Sequence, residues 1–213
     1  GSEMCIRDRT YTATIRLGQS TVTDDAEGEV VQTRLANAVT PERVAEQVAA
    51  LTGEILQAPS AVSAVKVAGR RAYDRVRAGE DVTLDARPVT VHEFTVHELR
   101  RLDGGRLVDL DVTVRCSSGT YIRALARDLG EALETGGHLT ALRRTAVGPF
   151  DVADALSLEA LAERFAMTEL SEAAAGLFPV RELTEDEAHE LAFGRVVAPV
   201  SYTHLTLPTI CSV

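Results

Sequence analysis

Arg115-Cys116-Ser117-Ser118-Gly119-Thr120-Tyr121-Ile122-Arg123-Ala124-Leu125-Ala126-Arg127-Asp128-Leu129-Gly130 is the stretch on which the fold turns. Upstream of it Val108, Leu110, Val112, Val114 and Cys116 alternate with polar residues, the period-2 pattern of a half-buried strand. Downstream, Ile122, Leu125, Ala126, Leu129 and Leu133 recur at helical spacing and form one apolar stripe. The stretch is therefore a strand, a Ser-Ser-Gly-Thr turn and a helix. Tyr121 and Arg123 fall at the helix start, on opposite flanks of the stripe. Unsatisfied N–H groups and the positive dipole end make that location receptive to an anion. The plain alternative is an ordinary capped core helix with a solvated arginine.

Working outward, residues 10–17 alternate Ala13, Ile15 and Leu17 against Thr12, Thr14 and Arg16, which predicts a strand. Asp24 to Glu29, with Gly28, reads as an acidic turn whose spacing does not suit calcium. Thr40-Pro41 supplies an N-cap and first helical position, with Val44, Val48 and Leu51 inward and Gly53 as the stop. Residues 69–78 predict a short basic helix. Between Arg87 and Leu99 the apolar parity flips from Val89 and Val91 to Phe94 and Val96, which predicts a bulge or a break. Asp103-Gly104-Gly105 then makes a hairpin turn. A helix is expected near 156–164, and another starts at Thr184, whose capping box Glu187 completes. Strands joined by turns rather than helical crossovers give an α+β class with a largely antiparallel sheet.

Composition narrows the chemistry. At 213 residues the chain can bury one sizeable core. It carries no apolar run of membrane-spanning length. Cys5, Cys116 and Cys211 are too dispersed for a disulfide framework or zinc ribbon, and the five histidines lack paired ligand spacing, so no metal is expected. A reducing, cytoplasmic setting follows as an expectation. The formal charge of −10 is unevenly spread: residues 151–190 hold 11 acids against 2 arginines, whereas residues 1–150 hold 21 acids against 19 basic residues. Lys66, Arg70, Arg71, Arg75 and Arg77 face one acid, Asp74; Arg123 with Arg127, and Arg143 with Arg144, form two further basic clusters. Phosphate contacts need such local positive charge, not a positive total.

Six runs, in order, resemble the bacterial tRNA pseudouridine synthase B family. They are Tyr11-Thr12-Ala13-Thr14-Ile15-Arg16-Leu17-Gly18; Thr23-Asp24-Asp25-Ala26-Glu27-Gly28; Gln57-Ala58-Pro59-Ser60-Ala61-Val62-Ser63-Ala64-Val65-Lys66 running on to Tyr73; Ala86-Arg87-Pro88-Val89; Ser118-Gly119-Thr120-Tyr121-Ile122-Arg123; and Gly137-His138-Leu139-Thr140-Ala141-Leu142-Arg143-Arg144. The resemblance implies a pseudouridine synthase fold, a mixed and largely antiparallel sheet flanked by helices. It implies a catalytic domain over 10–176 and the start of a small RNA-binding (PUA-like) domain over 177–200. Residues 1–9 and 201–213 look like non-native ends, similar to translated sequencing-adapter read-through, and are set aside.

The implied activity is conversion of the T-loop uridine of tRNA, uridine-55, to pseudouridine by a monomer without cofactor or obligate protein partner. A base extruded from its stack costs a few kcal/mol. Tyr11 matches the tyrosine that stacks on it and takes its C5 proton. Arg123 matches the arginine that pairs with the nucleophilic aspartate and keeps it ionised. Tyr121 and Leu142 match residues beside the base, and Lys66 a residue beside the RNA. The family's nucleophile lies in a Gly-x-Leu-Asp-Pro segment before the Tyr11 strand. No such segment occurs here, so the expectation is a fragment lacking that aspartate and, as given, inactive. Asp103, Asp24 and Asp25 sit in other loops and are not promoted to its place. Two other readings stand beside this one, a non-catalytic tRNA-binding or folding module and a hydrolase built on Ser117 or Ser118. The second lacks a Gly-x-Ser-x-Gly elbow.

Overall fold

The computed structural model describes residues 8–59, 66–67, 70–71, 85–178 and 180–197. Its framework is a six-stranded sheet in the order β10-β9-β1-β8-β7-β4, every pairing antiparallel. The central strand β1 (Arg9–Leu17) pairs β8 (Leu107–Cys116) on one side and β9 (Gly137–Val147) on the other. Next to β8 lies β7 (Arg87–Leu102), then β4 (Gly53–Gln57); the two-residue β10 (Phe150–Asp151) edges β9. Two small ribbons complete the strands, β2 (Gln19–Thr21) with β3 (Val30–Thr33), and β5 (Lys66–Val67) with β6 (Arg70–Arg71).

One face of the sheet is apolar and carries the helices. Ala13, Ile15 and Leu17 of β1, Val108, Leu110, Val112 and Val114 of β8, and Val91 and Phe94 of β7 are buried in one cluster. α1 (Pro41–Ala50) contributes Val44 and Val48, and α2 (Ile122–Ala132) contributes Ile122, Leu125, Ala126 and Leu129. Each buried leucine contributes about 1.5–3 kcal/mol, so the stripe on α2 pins that helix to the sheet. The other face is polar: Arg16 forks onto Asp109 at 2.8 Å through Nε, and Thr14 donates to Asp111 at 2.8 Å. Arg100 ion-pairs Asp111 and Glu98.

The predicted elements at β1, α1, β8 and α2 are present, with Thr40 capping α1 through Arg43 N–H at 3.3 Å. Gly53 opens β4 with φ of 100°. The parity flip in β7 is resolved by two bulges, between Val91 and Glu93 and between Val96 and Glu98, inside one continuous 16-residue strand. The Asp103-Gly104-Gly105 turn takes three successive positive φ values, 47°, 64° and 90°, which two glycines make cheap. The predicted 69–78 helix is corrected at its start. Arg70 and Arg71 pair antiparallel with Val67 and Lys66, because two intervening residues suit a hairpin connection better than a helix. The remainder of 69–78 lies outside the described residues.

The chain forms two units, residues 1–155 and 156–213. The first unit extends that far because β10 and the short turn Val152–Asp154 pack on β9, and the chain leaves the sheet only after Ala155. At the other end Arg9 is already in β1, opposite Cys116 and Val147, and Asp8 contacts His92 Nε2 at 3.2 Å. Only residues 1–7 of the expected leader fall outside the description. The second unit contains α3 (Leu158–Glu163), α4 (Leu170–Leu177) and α5 (Glu185–Ala192), none with a buried residue. Thr184 and Glu187 form the predicted capping box of α5. No helix among the described residues is long and apolar enough to cross a membrane.

Candidate functional site at the start of the second helix

Tyr121 is the N-cap of α2, with φ −100° and ψ 109°, and its side chain makes no capping hydrogen bond. Arg123 therefore occupies the second helical position and Arg127, four residues on, the same flank one turn later. Both reach the acidic turn. Arg123 Nε lies 2.8 Å from Asp25 Oδ2, and Arg127 Nη1 lies 3.6 Å from Asp24 Oδ2. Arg127 also holds Asp128 at 2.7 Å and donates to the Ala58 carbonyl at 2.9 Å. A guanidinium so near a helix N-terminus opposes the dipole by about 0.3–1 kcal/mol. An ion pair with a 38% exposed arginine returns about 0–1 kcal/mol. Those terms nearly cancel, so folding energetics alone give no reason for an arginine there.

The acidic turn is fixed in place. Asp25 accepts from Thr23 Oγ1 at 2.5 Å and from Glu27 N–H at 3.1 Å through Oδ1, which leaves Oδ2 for Arg123. Thr21 Oγ1 donates to the Asp25 carbonyl at 2.8 Å. Leu139 N–H donates to the Asp24 carbonyl at 3.0 Å, and Asp25 bridges Leu139 in parallel sense. The turn is thereby docked on the first residues of β9. The role of the acidic run as the arginines' counter-charge was not foreseen from the sequence. Its one signal there is number, two adjacent acids for the two arginines on one flank of α2.

The other expected residues lie on β1 and β9. Tyr11 follows Ala13, Ile15 and Leu17 on the helix-bearing face of β1 and packs against the core. In register it stands between Val114 of β8 and Arg144 of β9. Leu142 is opposite Ala13 and Leu139 opposite Ile15, with a register shift between. That bulge turns two residues three apart to one face. Leu139 is buried there and Leu142 is 46% exposed, where the apolar face runs out into solvent. The structure thus brings Tyr11, Leu142 and α2 with Arg123 to the same side of the sheet. Arg143 and Arg144 are exposed and make no ion pair with a described residue. Lys66 is found in the β5–β6 ribbon, opposite Arg71; its side chain and the segments around that ribbon are outside the described residues.

Ser117 has a structural task. Its Oγ accepts from Thr90 N–H at 2.9 Å, and its own N–H donates to the Thr90 carbonyl at 2.8 Å. This two-way tie to β7 speaks against a serine nucleophile. Cys116 is buried, and burial pushes its thiol pKa up, so it is held as the neutral thiol. Among the described residues no cluster of His, Cys, Asp or Glu could hold a metal ion.

Residues 2–122 match the family described as TruB family pseudouridylate synthase (N terminal domain), and residues 123–202 match the tRNA pseudouridylate synthase B C-terminal domain. The chain is 66% identical over 190 residues to the tRNA pseudouridine synthase B of Arthrobacter sp. (strain FB24), covering 89% of this chain and 62% of that protein. It is 54% identical over 202 residues to that of Thermobifida fusca (strain YX), covering 94% and 69%. The chain thus spans a little over 60% of the Arthrobacter relative's length. Among solved structures, a chain of a Cbf5-Nop10-Gar1 complex superposes with a TM-score of 0.51 at 26% identity, covering 76% of this chain and 37% of that one.

Proposed function

This chain belongs to the TruB family of pseudouridylate synthases, and from that premise we propose that it serves to convert a tRNA uridine, the one in the T-loop, to pseudouridine. The reaction breaks the bond between the sugar C1′ and N1 of uracil and makes one between C1′ and C5. The proton lost from C5 is balanced by the one gained at N1, so no cofactor is consumed. In this reading Tyr11 stacks on the extruded base and takes the C5 proton, with Leu142 and Tyr121 beside it. Stacking contributes about 1–3 kcal/mol per base, enough to offset much of the extrusion cost. Arg123 holds the nucleophilic carboxylate ionised. Arg143, Arg144 and Lys66 neutralise phosphates of the T-arm. The protein acts as a cytoplasmic monomer.

The observation that carries the proposal is Arg123 itself, a cation at the unfavourable end of a helix with an acidic partner and a partly exposed apolar floor. A second reading, a tRNA-binding module, is favoured by the engagement of Arg123 with Asp25, which leaves the arginine already paired. The deciding experiment incubates a T-arm stem-loop with the chain Gly1–Val213 and with the intact protein, and locates pseudouridine by chemical mapping. Product from the intact protein at the T-loop uridine supports the synthase; product at no position refutes it. Product from Gly1–Val213 alone assigns the nucleophile to an aspartate within it, with Asp25→Asn the first substitution to make. Binding without turnover by Gly1–Val213 selects the module reading for these residues.

A further inference from the structure

Gln57 ends β4 and is 2% exposed, one of few polar side chains sealed in the interior among the described residues. Its amide is satisfied at both atoms by one residue. Oε1 accepts from Tyr121 N–H at 2.8 Å, and Nε2 donates to the Tyr121 carbonyl at 3.1 Å. Tyr121 is the N-cap of α2, two residues before Arg123, and offers no side-chain cap of its own. In an ordinary capping box the third helical residue reaches back to the N-cap N–H. Here that position is Ala124, which cannot. A glutamine from a distant strand performs the task instead. The next residue of the same strand end is held too, since Arg127 donates to the Ala58 carbonyl at 2.9 Å.

We propose that Gln57 is a positioning residue: its amide fixes the backbone of Tyr121 and so sets where the Arg123 guanidinium enters the site. The claim rests on the proposed synthase reading for its kinetic consequence but not for its structural one. Burial, with no charged side chain in hydrogen-bonding contact among the described residues, argues that the amide does not touch RNA. Two hydrogen bonds to the backbone N–H and C=O of one residue argue against a generic core role, for which one partner of any element would serve. Misplacement of a reacting group by about 1 Å can cost on the order of 100-fold in rate, so the expected loss is in the chemical step.

The test uses Gln57→Met, which keeps the volume and removes both hydrogen bonds, in the intact protein. Amide exchange should quicken selectively at Tyr121 and the residues following it. Single-turnover pseudouridine formation should fall about 10- to 100-fold, with T-arm affinity near that of the parent. In an Arg123→Lys background the same substitution should add no further loss, because Gln57 acts through that arginine. Unchanged protection at Tyr121 overturns the proposal, as does a rate loss that multiplies with that of Arg123→Lys or that tracks affinity. If the unsubstituted protein forms no pseudouridine, the synthase reading falls, and amide exchange at Tyr121 decides the clamp alone. Should Gln57→Met fail to fold, Gln57→Glu answers. Its protonated form restores the donor, so the rate relative to the parent should recover as pH falls, and a flat ratio overturns the proposal.

Discussion

In the proposed reaction Arg123 and Tyr11 do different things, and their surroundings differ. The arginine is half in solvent against a carboxylate; the tyrosine is braced between two strands. Tyr11→Phe preserves the stacking face and removes the hydroxyl. It should leave T-arm affinity near that of the parent and lower product formation by about 100-fold or more, read by single-turnover assay. Equal loss of binding would show that the hydroxyl anchors RNA. Cys116 gives a control on the core. Its thiol is buried and kept neutral, so alkylation there should require unfolding; labelling of the native protein at Cys116 would show that β8 opens. The placement of Tyr121 and Arg123 at the start of α2, and of Tyr11 on β1, is legible in the helical and period-2 patterns around them. The role of Asp25 is not, because it depends on a bridge to Leu139 that no local pattern announces.

Among the elements, the contact of α2 with β9 is the tightest constraint on the site. A Cβ at Gly130 would meet Gly136 C and Gly137 N at 2.2 Å, both backbone. Gly130→Ala should therefore cost about 1–3 kcal/mol through overpacking, measured by urea denaturation, and should disturb Arg123 through the same helix. A neutral outcome would mean the helix is free to shift. β9 shows why sequence reading stops where it does. Alternation is the signature of a strand, but the bulge between Leu139 and Leu142 puts apolar residues three apart on one face, a spacing that mimics a helix. β7 carries the same kind of irregularity as a visible parity flip, which predicts a bulge or a break; two bulges are found. The 69–78 stretch went the other way at Arg70 and Arg71, where basic residues that favour helices pair as a ribbon.

At the scale of the whole chain, charge separates by region. The acids of 151–190 keep the total negative, while Arg143 and Arg144 on β9 remain exposed. Replacing either arginine by alanine should reduce the salt slope of T-arm binding by about one unit; an unchanged slope would remove that arginine from the RNA path. On the polar face of the sheet, hydrogen bonding from Arg100 holds the Asp111 carboxyl below its ordinary value. A lowered carboxylate pKa contributes stability above the unfolded value, near 4, and that contribution is lost as pH falls through the folded one. Asp111→Asn should thus be less stable than the parent at neutral pH and converge with it under acid, followed by thermal unfolding. A difference that persists in acid would point to packing instead.

The most direct trial of the central claim is Arg123→Ala in the intact protein, with T-arm affinity and single-turnover pseudouridine formation measured side by side. A guanidinium that serves the chemistry predicts a rate loss of about 100-fold or more while most of the affinity survives. A rate within a fewfold of the parent, or affinity that collapses together with the rate, contradicts it.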